Sequence, residues 1–268
     1  MQLSIPKFEI TSGIGDDDFN SFARNGYLII RKPFDMTLID ELAQWTRERF
    51  FDSNGKITSV REQDEWRNMP AVKELACNAM IIEKLKALYG RNPVPFQTLN
   101  FPVGTEQNTH SDTMHFHCFP QRWMCGVWVA LEDITEGNGP LHYYPGSHKL
   151  PTLTMEDVGI TPPPRKFNFF RKKSNTKENY LKYEIAIKEV LEISGIKKET
   201  LCINKGDLLI WSANLLHGGE PILEPGSTRF SQVTHYYFEG CRYYTPMLSD
   251  FIHGKITYRD GIKNITDA

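Results

Sequence analysis

Apolar residues in the first ninety positions recur at helical spacing; from about residue 95 they gather into short runs of strand length. DDDFNSFARNG (16–26) predicts a short helix, with aspartates at its start and Gly26 at its stop. GYLIIRKPF (26–34) predicts the one strand of this region. MTLIDELAQWTRERF (36–50) places Leu38, Ile39, Leu42, Trp45 and Phe50 mostly on one helical face. A second helical region is expected from Ala71 to Tyr89, with Gly90 as its C-cap.

Beyond Pro95 the predicted strands are 96–101, 115–119, 123–131, 141–144, 200–203, 207–211 and 229–238, all rich in aromatic and β-branched residues. GNGP (137–140), PGS (145–147), KGD (205–207) and EPGS (224–227) separate them with turn chemistry. Many short strands without alternating helices predict a mainly β fold, an antiparallel sandwich or barrel with flanking helices. Residues 151–199 interrupt this texture. They carry a proline run, the basic stretch RKKSNTK (171–177) and an amphipathic helix with apolar residues at 180, 183, 187, 190 and 191 that ends at Gly195. Inside a β core this reads as an insertion, a kind of segment that often covers a site. No linker divides the chain, so one domain over 1–268 is expected: a helical part to about 92, then a β core from about 93 to 240.

Composition narrows the class. A chain of 268 residues suits one large domain, and 40% hydrophobic with 24% charged residues is ordinary for a soluble protein. A net charge of −2 gives no reason to expect nucleic acid or an anionic membrane, and RKKSNTK reads as a solvated loop. The five cysteines form no C-x-x-C pair, which predicts reduced thiols. MQLSIPKFEITSG lacks the apolar centre of a signal peptide, and no apolar run reaches the ~20 residues of a membrane helix. A soluble, cytoplasmic protein is expected.

The candidate chemistry starts at THSDTMHFHCFP (109–120), with histidines at 110, 115 and 117 and an aspartate at 112. A ferrous site that activates dioxygen uses two imidazoles and one carboxylate on one side of the ion. Residues i and i+2 of an extended segment point the same way, so His110 and Asp112 can close on one metal. His115 and His117 would then face the other way if extension continued. His110-x-Asp112 is the only H-x-D/E triplet in the chain. A distal histidine is offered by His217 in LLIWSANLLHGGEP, just after a strong strand. Arg229 opens RFSQVTHYYF, where a buried guanidinium would grip a dicarboxylate, and Ser231 lies two residues on along the same face.

HSD (110–112), MCGVWVALEDITEGNGPLHYYPGSHK (124–149), KGDLLIWSANLLHGG (205–219) and STRFSQVTHYYFE (227–239) resemble the phytanoyl-CoA dioxygenase family, as does the opening pattern at 18–30. The resemblance implies a double-stranded β-helix (jelly-roll) core and Fe(II), 2-oxoglutarate and O2 as cofactor and co-substrates. It implies that His110, Asp112 and His217 are the iron ligands and that Arg229 binds the distal carboxylate of 2-oxoglutarate with Ser231 as helper. Trp128 matches a tryptophan lining that pocket, and Gln97 matches an amide that contacts the co-substrate. Related halogenases carry a small residue in place of the carboxylate, so Asp112 excludes that branch.

The function expected is a dioxygenase that oxidises, and most simply hydroxylates, a C–H bond of a small organic substrate, with succinate and CO2 as co-products. Two rivals stand beside it: a cupin-like metal enzyme built on His115 and His117 without 2-oxoglutarate, and a non-catalytic jelly-roll binding protein. For His115 and His117 a structural role and a substrate-facing role both remain open, whereas His148 in PGSHK belongs to a turn.

Overall fold

The computed structural model describes residues 15–160 and 176–268. The extreme N-terminus, the proline run and most of RKKSNTK lie outside the described residues, and with them the expectation of a solvated basic loop.

The helices are α1 (Asp16–Asn25), α2 (Met36–Phe50), α3 (Pro70–Ala76), α4 (Ala79–Tyr89) and α5 (Thr176–Ser194). The strands are β1 (Tyr27–Ile30), β2 (Glu62–Gln63), β3 (Pro93–Phe101), β4 (His117–Phe119), β5 (Met124–Ala130), β6 (Leu141–Tyr143), β7 (Glu199–Leu201), β8 (Leu208–Ser212), β9 (His217–Gly219), β10 (Ser231–Phe238) and β11 (Arg242–Tyr244). Six of them form one antiparallel sheet in the order β1-β8-β5-β10-β3-β2. A smaller sheet, β7-β6-β9, and the pair β11-β4 complete the β structure. This is the double-stranded β-helix core, mostly β with few helices.

The large sheet is sandwiched, and its alternation shows how. Val127 and Val129 of β5, with Leu208 and Ile210 of β8, pack against Leu38, Ile39 and Leu42 of α2 and Leu85 of α4. The intervening residues Trp128, Ala130, Leu209 and Trp211 turn inward, where they meet Tyr143 and Leu201 of the small sheet. Period-two patterning thus assigns one face to the helices and the other to the interior.

Local chemistry fixes the helix ends. Asp35 caps α2 by accepting from the Thr37 N–H at 2.9 Å, and Asn78 caps α4 by accepting from the Met80 N–H at 3.0 Å. That second cap divides the helical region expected over 71–89 into two helices. In α2 the face also differs by one position: Thr46 is fully buried and returns its hydroxyl to the Leu42 carbonyl, while Trp45 is only partly buried. Gly26 ends α1 with φ 83°, and the His148 imidazole packs where its Cβ would be. His148 Nε2 donates to the Ala23 carbonyl at 3.2 Å, so the PGSHK turn fastens α1 to the core.

Two strand expectations change. The strand expected at 115–119 begins only at His117, because residues 112–114 form a single 3-10 turn with Asp112 O accepting from the His115 and Phe116 N–H groups at 2.9 Å. The first ninety residues also hold a second strand, the two-residue β2 on the sheet edge. Within the inserted region, α5 buries Tyr183, Ile187 and Leu191 against Met114, Met155 and Leu216, next to the segments that carry the candidate ligands. No helix among the described residues is long and apolar enough to cross a membrane.

Candidate metal centre

His110 and His217 meet through the backbone. Each donates its N–H to the other's carbonyl at 2.9 Å in an isolated antiparallel bridge, which sets the imidazole centroids 4.5 Å apart. Gly218 follows His217 because a Cβ there would lie 2.6 Å from the Gln107 carbonyl. The turn at 112–114 then brings Asp112 under both rings. One ligand atom from each of His110, Asp112 and His217 lies within 4.8 Å of the others, and all three residues are buried. Among the described residues no other group of His, Cys, Asp and Glu of this size offers a metal site.

Hydrogen bonds aim these ligands. His110 Nδ1 sits 2.9 Å from the Asn108 carbonyl and His217 Nδ1 2.9 Å from the Leu215 carbonyl. A carbonyl only accepts, so each ring carries its proton on Nδ1 and leaves the Nε2 lone pair for a cation. Burial holds His110 well below the ordinary imidazole range, at about 3, and the neighbouring His217 pushes the same way. Burial alone would raise Asp112; His217, His235, His110 and the Trp211 donor outweigh it and keep its carboxyl below the usual range. Trp211 Nε1 donates to Asp112 Oδ2 at 2.7 Å. Its indole lies across Gly126, where a Cβ would come within 2.3 Å, so that glycine makes room for the donor.

The second cluster lies farther along the interior face of β10. Ser231, Val233 and His235 alternate on this face, and Trp128 pairs with Val233 across β5. Arg229 is 1% exposed, its guanidinium 5.7 Å from the Trp128 ring and bonded to the Gly139 carbonyl at 3.2 Å. Burial lowers its pKa to about 10. Arg229 Nε, Ser231 Oγ and Trp128 Nε1 are all buried without a hydrogen-bond partner. The nearby Glu132 carboxylate is engaged instead by the Phe230 N–H and the Thr228 hydroxyl. Orphaned buried donors are costly, and three together around a buried cation fit an anionic guest that brings its own acceptors.

Gln97 faces the same interior but pairs with His235, six residues along β10 from Arg229. Its Oε1 accepts from His235 Nδ1 at 3.0 Å, which places it at the metal end of the pocket. His115 and His117 part company at the 3-10 turn, so it is the turn and not continued alternation that separates them from His110 and Asp112. His115 stacks on Tyr180 of α5 with centroids 5.5 Å apart. His117 is buried against Tyr244, its Nδ1 accepting from the Cys118 N–H at 2.8 Å.

Two side-chain roles escaped the sequence reading, and a third feature gives the expected insertion its contacts. His235 puts Nε2 3.8 Å from Asp112 Oδ2; counting by twos from Arg229 would have found it. Trp211 was read as part of a strand without its role toward Asp112. Finally, α5 roofs the centre: Tyr183 OH accepts from the Ser111 N–H at 3.1 Å, and Gln107 Nε2 lies 3.4 Å from Tyr180 OH and 3.3 Å from His110 Nε2.

Comparison with known proteins agrees with this architecture. Over 120 residues the chain is 28% identical to phytanoyl-CoA dioxygenase domain-containing protein 1 of Danio rerio, covering 41% of this chain and 41% of that protein. Over 158 residues it is 27% identical to the ectoine dioxygenase of Halomonas elongata, covering 56% of this chain and 45% of the relative. The chain thus spans less than half the length of these two relatives. The fold is shared with the EctD crystal structure from S. alaskensis with bound Fe: TM-score 0.66, 19% identity, and 90% of this chain against 83% of that one. The phytanoyl-CoA dioxygenase (PhyH) family profile matches residues 22–230, most of the sequence, and the chain belongs to that family.

Proposed function

We propose that the chain is a non-haem Fe(II)- and 2-oxoglutarate-dependent dioxygenase that hydroxylates a C–H bond of a small organic substrate, as one catalytic domain over 1–268. The observation that carries this reading is the buried His110–Asp112–His217 group, a two-histidine, one-carboxylate donor set of the kind ferrous oxygenases use. Bound iron would supply the activation of dioxygen, with 2-oxoglutarate consumed to succinate and CO2.

The chain's own residues bind, aim and shield. His110 and His217 present Nε2 because the Asn108 and Leu215 carbonyls hold their Nδ1 protons. Asp112 presents Oδ1 while Trp211 occupies Oδ2. Arg229, with Ser231 and Trp128, would take the distal carboxylate of 2-oxoglutarate through the donors that now lack partners. Gln97, placed at the metal end, holds His235 in orientation beside Asp112. Tyr180 and Gln107 exclude water from above, and the Gln107 amide must leave His110 Nε2 when a cation is held there. The cupin-like alternative on His115 and His117 loses support, since those two rings lie in different surroundings.

Anaerobic addition of Fe(II) and then 2-oxoglutarate tests the reading through the weak visible band of the chelate. A wild-type protein without the band sinks it. A band that survives His110→Ala but vanishes in His115→Ala would transfer the site to the other pair.

A further inference from the structure

The tail after β11 folds back along the sheet: Tyr244 bridges to Tyr258, and the Arg259 N–H bonds to the Tyr243 carbonyl at 2.9 Å. This return carries the Arg259 side chain to the metal end of the interior, far along β10 from Arg229. Its guanidinium lies 4.8 Å from the Phe116 ring and 5.7 Å from that of Phe96. The Phe116 ring is 5.2 Å from His235, which stands 3.8 Å from Asp112.

Arg259 is half-buried, yet no carboxylate pairs with it and its guanidinium makes no hydrogen bond among the described residues. Other arginines behave differently: Arg31 pairs with Asp207 at 2.7 Å and Arg49 with Glu62 at 2.6 Å. A guanidinium seated on two aromatic rings, with its planar fork unused, is suited to a planar or tetrahedral oxyanion. The rings of Phe96 and Phe116 would pack against the body of the same molecule.

We infer that the substrate carries an anionic oxygen group, a carboxylate or phosphate, which Arg259 receives beside Phe96 and Phe116 at the mouth of the metal centre. The inference rests on the proposed dioxygenase reading for the identity of this space as the substrate side. Arg259 lies outside the residues 22–230 shared with the family, in the part of the chain where its own selectivity would be written.

The test uses the full chain loaded anaerobically with Fe(II) and saturating 2-oxoglutarate, so that Arg229 is occupied. Calorimetric titration compares benzoate with benzamide, 3-phenylpropanoate with its primary amide, and phenyl phosphate with phenol. At least one anion is expected to bind ~10-fold or more tighter than its neutral partner, as a hydrogen bond to a charged group implies. Arg259→Gln should erase that preference and Arg259→Lys should restore part of it. The pair that discriminates tells carboxylate from phosphate. The inference falls if no anion outbinds its neutral partner, or if the preference survives Arg259→Gln. Should Arg259→Gln fail to fold, Arg259→Met carries the same comparison in its place. The chelate band in the same samples speaks separately: its absence with anion preference intact sinks the dioxygenase reading alone, and its presence without preference sinks only the Arg259 site.

Discussion

The two ends of the β10 interior face are built on opposite principles. At the metal end the protein satisfies its own groups: His110, His217, Asp112 and His235 each have a hydrogen-bond partner that fixes their direction. At the arginine end it leaves Arg229 Nε, Ser231 Oγ and Trp128 Nε1 buried and unpaired. The first has the build of a preorganised cation site, its candidate ligands held against their mutual crowding by backbone carbonyls and one indole. The second is a deficit that only an incoming acceptor removes. Metal binding is therefore expected to demand little rearrangement beyond Gln107, while co-substrate binding should stabilise the fold itself.

Removing a ligand breaks the metal end outright. Asp112→Ala should abolish the chelate band and lower Fe(II) affinity by more than ~100-fold, since even outer partners of metal ligands are worth ~10–100-fold. Equilibrium dialysis with Fe(II) measures this, and near-normal affinity would refute the assignment of Asp112. Arg229→Met tests the deficit. It should weaken 2-oxoglutarate by at least ~30-fold, the lower range for truncating a buried charged partner. It should also raise the melting temperature of the co-substrate-free protein, because an unpaired buried charge is gone; a lower melting temperature would show that Arg229 is already compensated.

Trp211→Phe removes one donor from Asp112, together with the far edge of the indole that lies over Gly126. About 10-fold weaker Fe(II) is expected, with 2-oxoglutarate affinity unchanged once metal is saturating. A loss confined to 2-oxoglutarate would reverse the division between the two ends. Ser231→Ala should be mildest, with ~5-fold weaker 2-oxoglutarate from one lost hydrogen bond and no change in metal affinity. If it equals Arg229→Met, the serine does more than assist.

Much of this was legible because it follows from periodicity. The α2 stripe over 36–50, the alternation of β5 and β10, and the i, i+2 spacing of His110 and Asp112 are written at spacings that backbone geometry enforces, whereas His217 and Arg229 are singled out by the family resemblance. Other parts depend on contacts the chain makes far from itself. The turn at 112–114 exists because Ser111 Oγ bonds the Ala213 carbonyl at 2.8 Å and caps Thr113, so a parity argument premised on continued extension could not see it. β9 is three residues with two glycines, His217–Gly219, and carries no strand signal of its own. The one-residue shift from Trp45 to Thr46 needs a buried hydroxyl that returns to its own helix. Arg259 sits in a tail without strand pattern, and only the fold-back to Tyr243 reveals what it faces.

The reciprocal bridge between His110 and His217 also orders events in time. Its two partners are separated by about a hundred residues, including all of β4 to β8 and the inserted helix. Contacts of such long sequence separation form late, after the loop between them has closed. A chain that stops short of residue 217 lacks one of the two imidazoles, so the proposed iron ligands come together only when the segments from β4 to β8 lie folded between them.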